Sequence, residues 1–277
     1  MKTALTKITL RSALLMGVTL LALTVAFMRG GGPGITFALE DDFDLTIGSN
    51  ASFNDILVPG STWVLKDLVP GADKFFDLES VMPGDSGKAT ISMLVESRQS
   101  SAWLCLDFSN LESDDNEVIE PEKDADPNGE ASGELANGME FFAWRDDGDD
   151  VFEVGEQPLF GTTTQSAADV LDGTTYTIAD ALTGTPVATG ETRFVGIAWC
   201  AGNLEVNLGT AQISCDAGAL GNEAQTDSLS VDVSIRAELE RGRPEFTCSG
   251  EAIPDGKERP DRPERPERPE RPERPGR

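Results

Sequence analysis

Leu229-Ser230-Val231-Asp232-Val233-Ser234-Ile235-Arg236-Ala237-Glu238-Leu239 places six apolar residues at strict period two against polar neighbours. That alternation describes a long strand with one buried face. Ala89, Ile91, Met93 and Val95 alternate in the same way beside Lys88, Thr90, Ser92 and Glu96. A turn at Ser97 to Ser100 leads into Ala102 to Phe108, a run apolar enough to be covered on both faces. Met139 to Trp144 and Phe194 to Cys200 are further apolar runs of strand length, bounded by Gly, Asp or Thr. Helical pattern is scarce, with Ala167 to Leu171 and Ala217 to Glu223 each sufficient for a turn or two. Short strands between Gly/Asp/Asn loops predict an all-β fold, an antiparallel jelly-roll-like β-sandwich.

The ends of the chain read differently. Lys2, Lys7 and Arg11 precede 17 uncharged residues, Ser12 to Met28. This is the layout of an export signal, and it is short for a membrane span. Thr36-Phe37-Ala38 suits a signal peptidase, so residues 1–38 are expected to be a signal peptide and the mature chain to start near Leu39. An uncleaved anchor with Gly30 to Gly34 as its exit is the alternative. From Arg259 the chain repeats Arg-Pro-Glu or a near variant until Pro275. Proline at every third position forbids helix and sheet, so residues 251–277 are expected to be a disordered polyproline-type tail. It serves either as a solvated spacer or as a tether to cell wall or polysaccharide.

Between these ends, residues 39–250 are long enough for one large β domain. The whole chain carries a net charge of −27. Setting aside four bases in residues 1–38, and eight acids and eight bases in residues 251–277, leaves 41 acids against 10 bases, a net of −31. Such a surface repels nucleic acid and anionic lipid and attracts divalent cations and basic partners. No nucleic-acid partner and no stable membrane insertion after signal cleavage are expected. Glu112 to Asn137, acidic and carrying Pro121 and Pro127, reads as an exposed loop insertion.

Cys105, Cys200, Cys215 and Cys248 are an even set, which in an oxidising compartment favours two disulfides among three possible pairings. Cys200–Cys215 would clip a hairpin, and Cys105–Cys248 would tie the last segment to the core. The expected setting is secreted, extracellular or at the cell surface.

The histidine count is zero. This removes serine-histidine and cysteine-histidine nucleophile pairs and histidine-ligated zinc. A carboxylate pair of the glycosidase kind stays open, because acids are plentiful. The expectation is nevertheless a chain that is not an enzyme.

One loop is a candidate for metal chemistry, with a plain charged hairpin loop as the alternative reading. Calcium takes six to eight hard oxygens from carboxylates and carbonyls in a tight turn. In Arg145 to Glu156, counted as an EF-hand-like loop, Asp147, Asp149, the carbonyl of Val151, Glu153 and Glu156 occupy ligand positions. Arg145 stands where the first acid belongs, and Asp146 is the candidate to replace it. Asp150 falls where glycine is expected.

Phe43-Asp44-Leu45-Thr46-Ile47, then Phe76 to Met82 leading into Pro83-Gly84-Asp85, then Gly87 to Glu96, follow the signal segment in that order. This arrangement resembles the TasA/camelysin family of proteins exported with SipW-type signal peptides. There an early Asp-Leu strand precedes a Pro-Gly-Asp turn and the first core strand. The likeness covers residues 1 to about 108. Met82 replaces the usual lysine before Pro-Gly-Asp, and Glu96-Ser97 stands where asparagines are common. The resemblance implies a jelly-roll subunit of extracellular filaments or biofilm matrix, in which one subunit's N-terminal strand completes the next subunit's sheet. Self-association, other matrix subunits and cell-surface polysaccharide are the implied partners.

Residues 39–48 permit such donation, since Phe43, Leu45 and Ile47 form one apolar face, each worth about 1.5–3 kcal/mol on burial. An ordinary first strand within its own domain is the alternative. Their deletion is expected to abolish filaments and leave a folded subunit. Some camelysin relatives are described as metallopeptidases; with no H-E-x-x-H pair that activity does not carry over. A different alternative is a monomeric adhesin or carbohydrate-binding module. Trp63, Trp103, Trp144 and Trp199 are the residues that would stack on sugars, although the last three sit in apolar runs that suit a core.

Overall fold

The computed structural model describes residues 43–251 apart from 70, 71, 77, 79, 99, 116–119, 121 and 126–132. The expected signal (1–38), the start of the expected donor strand (39–42), parts of the 112–137 insertion and the tail from 252 lie outside the described residues.

Thirteen strands form among the described residues. The first five are β1 (Phe43–Phe53), β2 (Ile56–Leu57), β3 (Trp63–Lys66), β4 (Ser86–Ser97) and β5 (Ala102–Asp114). Then come β6 (Met139–Asp146), β7 (Gln157–Pro158), β8 (Gln165–Ser166), β9 (Thr174–Ala179) and β10 (Thr192–Ala201). A hairpin of β11 (Asn203–Asn207) and β12 (Gln212–Asp216) precedes β13 (Ser228–Leu239). One sheet runs β2-β1-β4-β10-β6-β7, with β3 on β1 and β8 on β6; a second runs β13-β5-β9. All strand pairings are antiparallel. Each long strand from β5 onward lies in the sheet opposite its predecessor, the jelly-roll-like winding of an antiparallel sandwich.

Period-two patterning explains the layers. Ile91, Met93 and Val95 of β4, Phe141 and Ala143 of β6, Val195 and Ile197 of β10, and Val233 and Ile235 of β13 all join one core between the sheets. The alternation of Leu229 to Leu239 holds, with a bulge between Ser230 and Asp232 where Asn110 of β5 takes a φ of +51°.

The run expected to be covered on both faces, Ala102 to Phe108, is so covered, and β6 is covered on both faces as well. Phe142 and Trp144 point away from the main core into a second cluster with Phe152, Ala198, Cys200 and Leu204, roofed by Val206 and Ile213 of the β11–β12 hairpin. Trp103 and Cys105 of β5 are buried too. Trp103 Nε1 donates to the Arg243 carbonyl (3.0 Å), and Cys105 bonds to Cys248. Both expected disulfides are present, Cys105–Cys248 and Cys200–Cys215, and no described cysteine is free.

The Pro83-Gly84-Asp85 turn has a defined job. Asp85 N–H donates to the Met82 carbonyl (2.9 Å), and Gly84 takes a φ of +91°, the left-handed position that such a turn assigns to glycine. The buried Asp85 carboxylate accepts from Met82 N (2.8 Å) and Asn54 Nδ2 (2.7 Å). The turn that starts β4 is thereby pinned to the turn that joins β1 to β2.

The 112–137 region departs from the exposed loop read in the sequence. β5 continues to Asp114, and single helical turns at Glu122–Ala125 and Leu135–Gly138 bury Glu122 and Leu135. Leu135 gains apolar burial there, which an exposed loop would forgo.

Candidate functional site: an acidic loop and an apolar sheet edge

The acidic loop joins β6 to β7. Strand parity puts Asp146 on the same face as Phe142 and Trp144, so it turns into the loop. Its Oδ1 accepts from Trp144 Nε1 (3.1 Å) and its Oδ2 from Gly148 N (3.0 Å) and Asp150 N (3.4 Å). Arg145 has the opposite parity and crosses the core to donate to the Ile178 and Thr177 carbonyls of β9. Asp146, not Arg145, therefore opens the loop.

Phe152 plugs the loop onto the second cluster, 5.1 Å from Phe142 and 5.5 Å from Trp144 between ring centres. Glu156 closes it, accepting from Asp147 N (3.1 Å) and Glu153 N (2.7 Å). Carboxylate oxygens of Asp146, Asp147 and Asp149 lie within 4.8 Å of one another.

Burial raises the pKa of Asp146, and the charge of Asp149 adds to it against its hydrogen bonds. Glu156 is raised by burial and by Asp146 and Asp147. The structure thus gathers Asp146, Asp147 and Asp149 and holds Glu156 beside them. The side chains of Val151 and Glu153 face solvent, and Val151 N donates to Asp149 Oδ1 (2.9 Å). All the donors are hard oxygens, which suits calcium.

The expected assembly strand is well defined. Phe43, Leu45 and Ile47 are buried, and β1 pairs residue for residue with β4 of the same chain, from Phe43 opposite Ser97 to Phe53 opposite Gly87. The other edge of β1 is covered by β3 only at Ile47 and Ser49 and by β2 only at Ser52 and Phe53.

Sequence reading missed what these short strands carry. Ile56, Leu57, Val64 and Leu65 are exposed large hydrophobics, Val64 at 84%. They line the edge of the larger sheet. A two-residue strand and a four-residue one offer no periodicity to detect; the Asn54-Asp55 pair, both at positive φ in a hairpin turn, was the available signal.

Trp103, Trp144 and Trp199 are buried, which withdraws them from sugar stacking. Trp63 is half-buried against Phe75, with its Nε1 donating to the Ile47 carbonyl (3.2 Å). No protein-family model and no curated protein matches this sequence. Among the described residues no helix is long and apolar enough to cross a membrane.

Proposed function

We propose that this chain is an exported structural subunit that polymerises into extracellular filaments or matrix, as its likeness to the TasA/camelysin family implies. The observation that carries this reading is the β2–β3 edge. A sheet edge bearing Ile56, Leu57, Val64 and Leu65 in water is a template for another chain unless something covers it. Two disulfides, of the kind that persist in oxidising compartments, support export.

In this reading β1 is exchanged between subunits. Every pairing it makes with its own β4 is reproduced with the β4 of a neighbour, so the polymer keeps the contacts of the monomer and adds the edge contacts. Calcium held by Asp146, Asp147, Asp149 and Glu156 stiffens the loop on the same sheet.

Electron microscopy of the purified chain starting at Leu39, with and without calcium chloride, tests the reading. Filaments are expected. Single particles under every ionic condition, at concentrations where the chain is folded, would refute it.

A further inference from the structure

A second group of acids lies on the opposite sheet. Asp115 directly follows β5, Glu122 belongs to the one-turn helix of the insertion, and Asp227 directly precedes β13. Carboxylate oxygens of all three lie within 4.8 Å of one another. Two of these are fully interior, Asp227 at 0% exposed and Glu122 at 2%, where the loop group has one buried member, Asp146 at 8%.

Hydrogen bonding at Asp227 is incomplete. Its Oδ2 accepts from Glu134 N (2.8 Å), but its Oδ1, like Asp115 Oδ1, is buried with no hydrogen-bond partner. Asp180, at 1% exposed, shows how this protein treats an interior carboxylate that needs no ligand. There Oδ1 accepts from Leu182 N (3.0 Å) and Thr183 N (2.9 Å), and Oδ2 from Cys248 N (3.2 Å). The charged neighbours that act on Asp227 are Glu134 and Asp115, both of its own sign. A buried carboxylate with an orphaned oxygen among like charges costs several kcal/mol unless a cation or a proton compensates it.

We propose that Asp115, Glu122 and Asp227 hold a structural divalent cation, calcium, independently of the 146–156 loop and of the filament reading. All the ligand atoms are carboxylate oxygens, the chain has no histidine, and no described cysteine is free, so a hard cation is selected over zinc or copper. Burial favours calcium over magnesium, which gives up its water reluctantly. The ion ties the helical turn of the insertion to the ends of β5 and β13, the two longest paired strands of the smaller sheet. Spread over three separated segments, the site has no sequence signature.

Calorimetric titration of calcium chloride into the full chain, stripped with chelator, tests the site. An Asp149→Ala/Glu156→Ala variant removes two of the four loop ligands, enough to abolish binding there, and is expected to keep one equivalent of bound calcium. Adding Asp227→Asn to it is expected to lose that equivalent. The amide still accepts from Glu134 N, so in chelator this variant should melt no lower than its parent. A role confined to packing would instead lower melting in chelator and calcium alike, and would overturn the proposal. So would calcium binding that survives Asp227→Asn, or none in the loop variant, the result expected if protons or water fill the site. Should Asp227→Asn fail to fold, Asp115→Asn, at a less buried ligand, must show the same loss.

Discussion

If β1 passes between subunits, locking it to its own β4 must stop polymerisation. Asp44 and Glu96 stand directly opposite one another, and both are exposed. Opposed residues in an antiparallel pair have Cα atoms about 4.5 or 5.5 Å apart, inside the about 4.4–6.8 Å that a disulfide spans. An Asp44→Cys/Glu96→Cys variant can therefore be cross-linked without disturbing the core.

The magnitude explains why a lock is preferable to the deletion of residues 39–48. Phe43, Leu45 and Ile47 are buried, and at about 1.5–3 kcal/mol each they hold β1 with about 5–9 kcal/mol before any ladder hydrogen bond is counted. At about 1.4 kcal/mol per factor of ten, a folded monomer has β1 open only about 10⁻⁴ to 10⁻⁶ of the time. That loss is comparable with the whole stability of a domain, about 5–15 kcal/mol, so the deletion perturbs folding and assembly together, whereas the lock perturbs assembly alone.

The assay oxidises the monomeric variant first, confirms the 44–96 link by peptide mapping, and then sets up assembly. Locked monomers should give no filaments. Protein assembled with free thiols and oxidised afterwards should give a covalent ladder on non-reducing electrophoresis. Filaments from locked monomers at wild-type yield, with the intrachain link intact, would refute strand exchange.

Gly196 faces Trp144 across the β6–β10 pair, and a Cβ there would meet the indole ring. Gly196→Ala should cost about 1–3 kcal/mol through overpacking, read as a lowered urea midpoint, and an unchanged midpoint would contradict the packing. Replacing Cys105 and Cys248 by serine opens a cross-link spanning 143 residues and should cost about 2–5 kcal/mol. Thermal melting of that pair without reductant checks it, an unshifted transition being the contrary result.

Burial, with Glu134 and Asp115 adding to it, pushes Asp227 up to about 7 from 3.8. In chelator the folded chain keeps this proton after the unfolded chain has lost it. The contribution to stability is therefore complete below about pH 4 and lost as pH rises through about 7. The urea midpoint should fall over that range, against the same background of Asp115, Glu122 and Glu134, and Asp227→Asn should flatten the slope. A midpoint from this group that rises with pH would contradict the assignment.

What could be read from the sequence was whatever local periodicity encodes. The β13 alternation, the doubly covered β5, the apolar run of β6 and the two single-turn regions all follow from neighbouring residues. The even cysteine count called for two disulfides, but three pairings stayed open in the sequence, and it is the structure that pairs Cys200 with Cys215 and Cys105 with Cys248. Strand parity also carried information that a position-counting motif did not use. Counting from Phe142 and Trp144 assigns Asp146 to the loop face and Arg145 to the core, whereas an EF-hand-like count starts on Arg145. The β2–β3 edge escaped because short strands leave too few residues to alternate. The Asp115–Glu122–Asp227 group escaped because it exists only once β13 is laid beside β5. Glu122 in particular sits in a segment whose composition signals solvent.

Acidity works against the proposed self-association. Residues 39–250 carry a net of −31, so two subunits brought edge to edge repel over a distance set by the Debye length, about 10 Å at 0.1 M salt. The apolar contact available on the β2–β3 edge is four side chains wide, and strand exchange only reproduces contacts that the monomer already has. Neither term grows with salt, whereas the repulsion shrinks. Polymerisation driven by this edge must therefore strengthen as ionic strength rises, and divalent cations must promote it at far lower concentration than sodium, because they bind the acids as well as screen them. Assembly that weakens on adding salt would instead point to charge pairing between subunits, for which 10 bases among 41 acids leave little material.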